Sequence, residues 1–180
     1  VGRYCVQKGF DRLIDCWNVV HQVYSDWKLE IFGDGELRSF LQNRIDALGV
    51  KDSVLLKSVT THIEDEYLNS SIFVLPSRFE GLPLVLMEAM ECGVPPVAFT
   101  CKCGPKDIIE NGVNGYLVEN GDIRGFADSL MQLMADQDLR KKIGIDAKQT
   151  MTRYTVENIM KEWDRLFHEL VEITSRTENK

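Results

Sequence analysis

Two glutamates lie at a spacing that suits the binding of a hydroxylated, negatively charged ligand. Glu80 and Glu88 are separated by seven residues in the segment FEGLPLVLMEAMECG, and Gly81 follows Glu80 at once. The apolar run from Leu84 to Glu91 predicts a helix, so that Glu80 would precede its first turn and Glu88 would lie further along it. Ionised carboxylates accept hydrogen bonds and donate none, and neighbouring hydroxyl groups are good partners for them.

The start of the same helix is predicted to leave backbone donors open for an anion. Pro83 suits the first helical position, because its missing N–H and its fixed φ carry no penalty there. Leu82 has no side-chain oxygen to cap the first turn, which leaves the N–H groups to a ligand or to water. A ligand with phosphates flanked by hydroxylated rings, such as a sugar nucleotide, would satisfy these groups together. The alternative is that Glu88 is simply an exposed residue, or that it interacts with the helix dipole near the first turn.

A second anion site is predicted at the beginning of the chain. The segment GRYCVQKGF places Arg3 at the end of a strand, and Lys8 with Gly9 ahead of a helix. Two cations and a glycine at such a turn can bind phosphate groups. The alternative is a solvated loop with surface charges, which is the usual setting of lysine.

A glycine motif follows a predicted strand, but it is incomplete. In IFGDGEL, Gly33 and Gly35 precede a helix, and Arg38 stands where a dinucleotide fingerprint has its third glycine. This motif therefore indicates a nucleotide site only weakly.

Two motifs that resemble metal sites are better explained by local structure. Cys101 and Cys103 form a C-x-C pair, but no histidine lies at ligand spacing, which favours a tight turn of small residues over zinc. Asp136 and Asp138 form a D-x-D between two amphipathic helices, and we interpret Asp138 as a helix cap.

Strand-like and helical segments alternate along the chain and predict the elements that position these residues. The predicted strands are Lys28–Phe32, Val54–Leu56, Ile72–Leu75, Pro96–Phe99 and Gly115–Val118. The predicted helices are Phe10–Tyr24, Leu37–Leu48, Ile63–Leu68, Leu84–Glu91, Lys106–Ile109, Ile123–Ala135, Leu139–Tyr154 and Val156–Thr174. This alternation is typical of an α/β fold, a Rossmann-like parallel sheet with helices on both faces. Ligands of such sheets bind at the carboxyl ends of the strands, where Glu80 is expected.

The composition excludes several classes of protein. A length of 180 residues suits one domain. The chain has 21 Lys and Arg against 28 Asp and Glu, and the resulting net charge of -7 disfavours nucleic-acid binding. Five scattered cysteines indicate reduced thiols in a cytosolic setting. The longest apolar runs are far shorter than a membrane span. Because VGRY begins in mid-pattern, we expect a piece of a longer chain, and we expect residues 175–180 to form a disordered tail.

The chain resembles the C-terminal, donor-binding domain of a GT-B glycosyltransferase of family 4, also called group 1. The segments that carry the resemblance are VGRYCVQKGFDRLI, IFGDGE, FVLPSRFEGLPLVLMEAMECGVPPVAF and CGPKDIIENGVNGYLV. They cover most of the chain, and the E-x7-E element together with GR…KGF is specific to that family. The resemblance implies a nucleotide-sugar donor-binding domain over residues 1–174, with an N-terminal acceptor domain outside this chain.

The resemblance also implies a role for each site residue. Arg3 and Lys8 would neutralise the donor diphosphate, Glu80 would contact the transferred sugar and Glu88 would bind the ribose hydroxyls. The implied donor-binding residues are Gly2, Arg3, Lys8, Glu80, Gly81, Leu82 and Glu88, of which Arg3, Lys8 and Glu80 would be catalytic. The nucleotide base is expected against the loop Ser58–Thr60.

The implied reaction is the transfer, with retention of configuration, of a hexose or N-acetylhexosamine from a UDP-linked donor. The acceptor would be a glycan or a lipid-linked glycan of bacterial polysaccharide synthesis. No metal or other cofactor is expected, because the two cations and the helix end would stabilise the departing diphosphate. The implied location is the cytoplasm, with membrane contact only through the missing half, and the isolated domain is expected to transfer nothing. Covalent catalysis by Glu80 is the weaker mechanism, since no second acid is in evidence.

Other functions stay open at this point. They are a non-catalytic nucleotide-sugar-binding partner subunit and another GT-B enzyme, such as an epimerase or a phosphorylase. A Rossmann dehydrogenase fits least, because its glycine fingerprint is incomplete.

Two segments depart from what the family commonly has. Many members have Phe-Gly where this chain has Leu82 and Pro83, which removes one amide donor. The usual Gly-Gly before an acidic helix start is replaced by Cys103-Gly104-Pro105, with Asp107 where glutamate is common.

The last predicted helix carries a stripe of apolar residues. The stripe is predicted to belong mostly to the core, with some residues facing the absent domain: Trp163, Leu166, Phe167 and Leu170.

Overall fold

The structure, a computed structural model, describes residues 1–178 and consists of short parallel strands alternating with helices. The strands are β1 (Leu29–Phe32), β2 (Val54–Lys57), β3 (Phe73–Leu75), β4 (Pro96–Phe99) and β5 (Tyr116–Val118). The α-helices are α1 (Phe10–His21), α2 (Arg38–Ala47), α3 (Ile63–Leu68), α4 (Leu84–Glu91), α5 (Pro105–Ile108), α6 (Ile123–Ala135), α7 (Gln137–Met151) and α8 (Val156–Glu178). Two short 3-10 helices cover Val6–Lys8 and Thr152–Tyr154. The predicted α/β fold is confirmed.

All strand pairs are parallel, and they form two groups. β1 pairs with β2, and β4 lies between β3 and β5. A cavity of about 360 Å³ is lined by residues of both groups, from β1 and from β3. The single sheet that the sequence predicts is therefore present in two pieces.

Helices cover both faces of the strands, as the apolar character of the strands requires. Successive side chains of β4 point in opposite directions, so that Val97 and Phe99 belong to the buried cluster that includes α1, α2 and α6, whereas Ala98 belongs to the cluster that includes α4 and α7. All four residues of β4 are buried. The carboxyl ends of β3 and β4 thus lead into loops at one edge of a rigid core.

The beginning of the chain differs from the prediction. Among residues 1–178 no strand ends at Arg3; the first residues run beside the end of β1, where the Gly2 N–H donates to the Phe32 carbonyl (2.9 Å) and the Tyr4 N–H to that of Asp34 (2.8 Å). A Cβ at Gly33 would overlap the Gly2 carbonyl oxygen. The incomplete glycine motif therefore allows a close approach between two backbone segments.

The last helix also differs from the prediction. α8 continues to Glu178, so residues 175–178 are helical where a tail was expected, and residues 179–180 lie outside the described range. Every residue from Val156 to Val171 is exposed, and α8 packs mainly on the Thr152–Tyr154 turn. The prediction that the stripe of Trp163, Leu166, Phe167 and Leu170 belongs mostly to the core is wrong, since all four are exposed. Within residues 1–178, no helix has both the length and the apolar character needed to cross a bilayer.

Candidate functional site

Glu80 lies in the loop after β3 and is held by two donors. Its Oε1 atom accepts a hydrogen bond from Lys8 Nζ (2.8 Å) and another from Ser77 Oγ (2.7 Å). The side chains of Glu80 and Lys8 are only 7% and 20% exposed. A charge pair this sheltered from water is screened little by salt, so the two groups hold each other firmly.

Lys8 reaches Glu80 because of the glycine that follows it. Gly9 has φ 67°, in the left-handed region, and a Cβ at this position would overlap the carbonyl oxygen of Pro76. The turn before α1 therefore packs directly on the end of β3, which glycine alone permits. The Lys8 stem lies against Gly2, where a Cβ would meet Lys8 Cε at 3.2 Å.

A second ion pair, which the sequence reasoning missed, fastens the Glu80 loop to the same turn. The Arg78 guanidinium donates to both carboxylate oxygens of Asp11, at 2.8 and 2.6 Å, and to the Val6 carbonyl at 2.7 Å. Burial favours the neutral carboxyl, but the hydrogen bonds and charge of Arg78 outweigh it and lower the pKa of Asp11. No local pattern in the sequence marks this pair, because Asp11 and Arg78 are 67 positions apart and meet only in the folded chain.

Glu88 lies on α4 and lines a cavity of about 330 Å³, a volume typical of small-molecule sites. Its Oε2 atom accepts a hydrogen bond from the Tyr67 hydroxyl (3.1 Å). The other lining residues come from the chain start, the end of β1, the loop after β2 and the start of α3: Val1, Gly2, Arg3, Phe32, Gly33, Asp34, Val59, Thr60 and Ile63. Residues of the loop predicted to meet the base, Val59 and Thr60, thus lie in the same cavity as Glu88, while Ser58 does not line it.

Arg3 lines this cavity but stands apart from Lys8. Its guanidinium donates to Glu36 Oε2 (3.1 Å), and its side chain is 73% exposed. The structure therefore does not join Arg3 and Lys8 into one anion site: Lys8 is paired with Glu80 and Arg3 with Glu36.

The segment between the glutamates begins as an exposed turn. Gly81 and Leu82 are exposed, and within the described residues their N–H groups donate to no acceptor. Pro83 is the N-cap of α4 and Leu84 the first helical residue, so the prediction that Pro83 occupies the first helical position is off by one. Gly104 packs against this turn, since a Cβ there would lie 2.7 Å from the Gly81 carbonyl oxygen and 2.9 Å from Pro83 Cδ.

The two motifs that resemble metal sites have local structural roles. Cys101 is buried behind the Glu80 loop, where its thiol donates to the Ser77 carbonyl (3.3 Å), and burial together with the charge of Glu80 raises its pKa. Cys103 is exposed. Asp136 caps α7 by accepting from the Leu139 N–H (2.9 Å), so the cap is Asp136 and not Asp138. Across residues 1–178 there is no group of three or more His, Cys, Asp or Glu placed to hold a metal ion.

The sequence of the whole domain identifies its family. Residues 1–150 match the family model for glycosyl transferases group 1. The chain belongs to the group 1 glycosyl transferases. This group 1 domain corresponds to the C-terminal domain of GT-B enzymes, as its resemblance implied.

Curated relatives of the group 1 domain include two glycosyltransferases and a phosphotransferase. The chain is 38% identical to the amylovoran biosynthesis glycosyltransferase AmsD of Erwinia amylovora, over 93% of its own length and 47% of the relative. It is 32% identical to a poly(ribitol-phosphate) alpha-N-acetylglucosaminyltransferase of Staphylococcus aureus, over 93% of its own length and 34% of the relative. An exopolysaccharide phosphotransferase of Streptomyces coelicolor is 38% identical over 94% of this chain and 18% of the relative. The chain thus spans less than half of the length of these relatives.

Solved structures match the group 1 domain over nearly all of its length. A TarM variant of S. aureus, in complex with fondaparinux, alpha-GlcNAc-glycerol and UDP, superposes with a TM-score of 0.88 at 32% identity, over 92% of this chain and 34% of that one. The C-terminal domain of the group 1 glycosyl transferase LpcC from Francisella tularensis superposes with a TM-score of 0.80 at 27% identity, over 87% of this chain and 84% of that one.

Proposed function

We propose that this domain is the donor-binding half of a retaining glycosyltransferase that uses a UDP-linked hexose or N-acetylhexosamine. The observation that carries the proposal is the continuity of the site: Glu88 lines a cavity with Gly2, the Lys8 stem lies on Gly2, and the Lys8 ammonium holds Glu80. A nucleoside in the cavity would direct its diphosphate toward Lys8 and its sugar toward Glu80. The acceptor would be a glycan or lipid-linked glycan of bacterial polysaccharide synthesis, which agrees with the relatives' names.

The Lys8–Glu80 pair is compatible with both proposed roles. An ammonium group has three N–H donors, so Lys8 can keep its bond to Glu80 while it donates to a phosphate oxygen. As the glycosidic bond stretches, negative charge grows on the diphosphate and positive charge on the sugar. Lys8 and the open amides of Gly81 and Leu82 would stabilise the former, and Glu80 would stabilise the latter. Arg3 would leave exposed Glu36 for the diphosphate.

UDP is the proposed nucleotide on the strength of one comparison, and its base would lie against Val59, Thr60 and Ile63 in the cavity beside Glu88. A structure 32% identical to this chain is described as a complex with UDP.

Nucleotide titration of two glutamate variants tests the proposal on this chain alone. Glu88→Ala should weaken UDP binding about tenfold or more, because a charged partner of the ribose hydroxyls is lost. Glu80→Ala should leave the affinity for UDP nearly unchanged and should reduce the preference for a UDP-sugar over UDP. Isothermal titration with UDP, GDP, ADP, UDP-glucose and UDP-N-acetylglucosamine measures both effects. Equal loss of UDP binding in the two variants would contradict the assigned roles, and no UDP binding by the wild type would overturn the proposed function.

A second function deserves its own test because one relative is named a phosphotransferase. Transfer of a sugar phosphate from a UDP-sugar releases UMP, whereas transfer of the sugar alone releases UDP. For the longer protein that carries this domain, we expect UDP as the product and equal rates with and without a chelator. UMP as the product would establish the phosphotransferase, a rate abolished by the chelator would establish a metal requirement, and donor binding without turnover would establish a non-catalytic partner subunit.

A further inference from the structure

Each of the two site glutamates has one oxygen bound by a buried hydroxyl and one oxygen with no hydrogen-bond partner among the side chains that the structure describes. Glu80 accepts through Oε1 only, and Glu88 accepts through Oε2 only, among the side-chain hydrogen bonds of residues 1–171. The hydroxyls that bind them are Ser77, which is 1% exposed, and Tyr67, which is 4% exposed. Neither was a candidate from the sequence. We propose that Ser77 and Tyr67 are positioning residues that present the free oxygens of Glu80 and Glu88 to the donor, an inference that rests on the proposed function.

Ser77 fixes the direction of the Glu80 carboxylate. The Ser77 hydroxyl donates to Glu80 Oε1 at 2.7 Å, and the Lys8 ammonium donates to the same atom at 2.8 Å. Both donors therefore bind the same oxygen of the carboxylate. The Ser77 backbone is itself held, because its carbonyl accepts the Cys101 thiol at 3.3 Å. With Oε1 occupied twice, Oε2 is the oxygen left to accept a sugar hydroxyl.

Tyr67 does the same for Glu88 by a different route. Glu88 is exposed on α4 and has no ion pair within the described residues, so that without Tyr67 its side chain would be free to change rotamer. The Tyr67 ring is fixed edge-on against Phe73, with ring centroids 5.8 Å apart. Burial, followed by the charge of Glu88, raises the pKa of Tyr67, so the phenol remains a donor at neutral pH.

Packing alone does not account for these hydroxyls. Phenylalanine would fill the space of the Tyr67 ring, and alanine would nearly fill that of Ser77. A buried hydroxyl requires a hydrogen-bond partner, and in both cases the partner is a glutamate of the proposed site. The two positions lie on separate elements, α3 and the loop after β3, and bind different glutamates, so each is the control for the other.

Isothermal titration with ligand analogues tests both positions on this chain. Tyr67→Phe should weaken UDP binding about threefold to tenfold and should reduce the preference for UDP over 2′,3′-dideoxy-UDP, which lacks the ribose hydroxyls. It should leave the preference for UDP-N-acetylglucosamine over UDP unchanged. Ser77→Ala should do the reverse, changing the preference for the UDP-sugar and leaving UDP affinity within about twofold. Ser77→Thr, which restores a hydroxyl, should recover the wild-type preference.

A double variant separates positioning from general loss of packing. If Tyr67 acts through Glu88, Tyr67→Phe should have no further effect on UDP affinity in a Glu88→Ala background, where no acceptor is left for the Tyr67 hydroxyl. Preferences equal to the wild type in both single variants, or an additive effect in the double variant, would overturn the inference. Absence of UDP binding by the wild type would instead overturn the proposed function, and the positioning roles with it. Melting curves confirm that each variant is folded, and the preferences compare ligands on the same protein.

Discussion

At the scale of single residues, the ion pair of Asp11 and Arg78 holds the loop that carries Glu80 against the beginning of the chain. The two side chains are each 25% exposed and form two parallel hydrogen bonds. Such bidentate geometry is the arrangement in which a surface pair contributes measurably to stability. Because Arg78 also donates to the Val6 carbonyl, the pair connects the Glu80 loop to the 3-10 helix that carries Lys8.

Asp11→Asn should therefore lower the free energy of unfolding by about 1–2 kcal/mol at pH 7. The pKa of Asp11 is lower in the folded state than its unfolded value of about 3.9, so the pair stabilises the fold above that value. This contribution is lost as the pH falls through the folded-state pKa, because Asp11 of the wild type then becomes as uncharged as the asparagine of the variant. Urea unfolding at pH 7 and near pH 3 should show the difference between the two proteins shrink, and a difference that stays constant would exclude this pair as its source.

At the scale of elements, the site depends on how closely the turn before α1 approaches the end of β3. Gly9 touches the Pro76 carbonyl, and the Lys8–Glu80 pair spans the same contact. The two segments are joined by backbone packing, which side-chain motion cannot relax. The chain therefore uses a glycine to place a cation beside a carboxylate 72 residues later.

Gly9→Ala compared with Gly49→Ala measures this contact. Both glycines have a positive φ, 67° and 70°, but nothing lies within 4 Å of a Cβ at Gly49. Gly49→Ala should cost about 1–2 kcal/mol from the left-handed conformation alone. Gly9→Ala adds a clash with backbone and should cost about 3 kcal/mol or more, with weaker UDP binding. Urea unfolding and UDP titration provide the measurements, and equal costs at the two positions would disprove a specific role for the Gly9 contact.

At the scale of the whole molecule, α8 contributes little to the core. Its residues Val156 to Val171 are exposed, whereas α7 buries Ile143, Ala147 and Met151 against α4 and the strands. The folded unit that holds the site is thus complete by Tyr154.

Removal of residues 156–180 should leave the unfolding midpoint within about 3 °C of the original, because few buried contacts are lost. UDP affinity should stay within about twofold. Removal of residues 137–180 is the matched control, and it should prevent folding because the buried face of α7 is lost. Circular dichroism melting and nucleotide titration distinguish the two truncations. Unfolding of the shorter deletion would show that α8 stabilises the domain.

The sequence predicted the elements, with Glu80 ahead of a helix and Glu88 on it, better than it predicted the partners of each charge. Strand and helix bounds agree within a few residues, because apolar periodicity reports local burial. The pairing of Lys8 with Glu80 and of Arg78 with Asp11 could not be predicted, since it depends on a backbone contact between distant segments. The α8 stripe was misassigned because an apolar helix face looks the same whether or not this domain covers it.

The exposed thiol of Cys103 is a site at which a fluorescent dye can be attached. Cys16 and Cys101 are buried, and Cys5 and Cys92 are only partly accessible, so a maleimide dye should attach first at position 103 without removal of the other cysteines. Burial raises the pKa of Cys16 to about 12 and also raises that of Cys92 and Cys101, which leaves little reactive thiolate at those positions. The neighbouring Gly104 touches Gly81 and Pro83. A dye on Cys103 would therefore lie beside the turn between the two glutamates, where a ligand bound at that turn would change its emission.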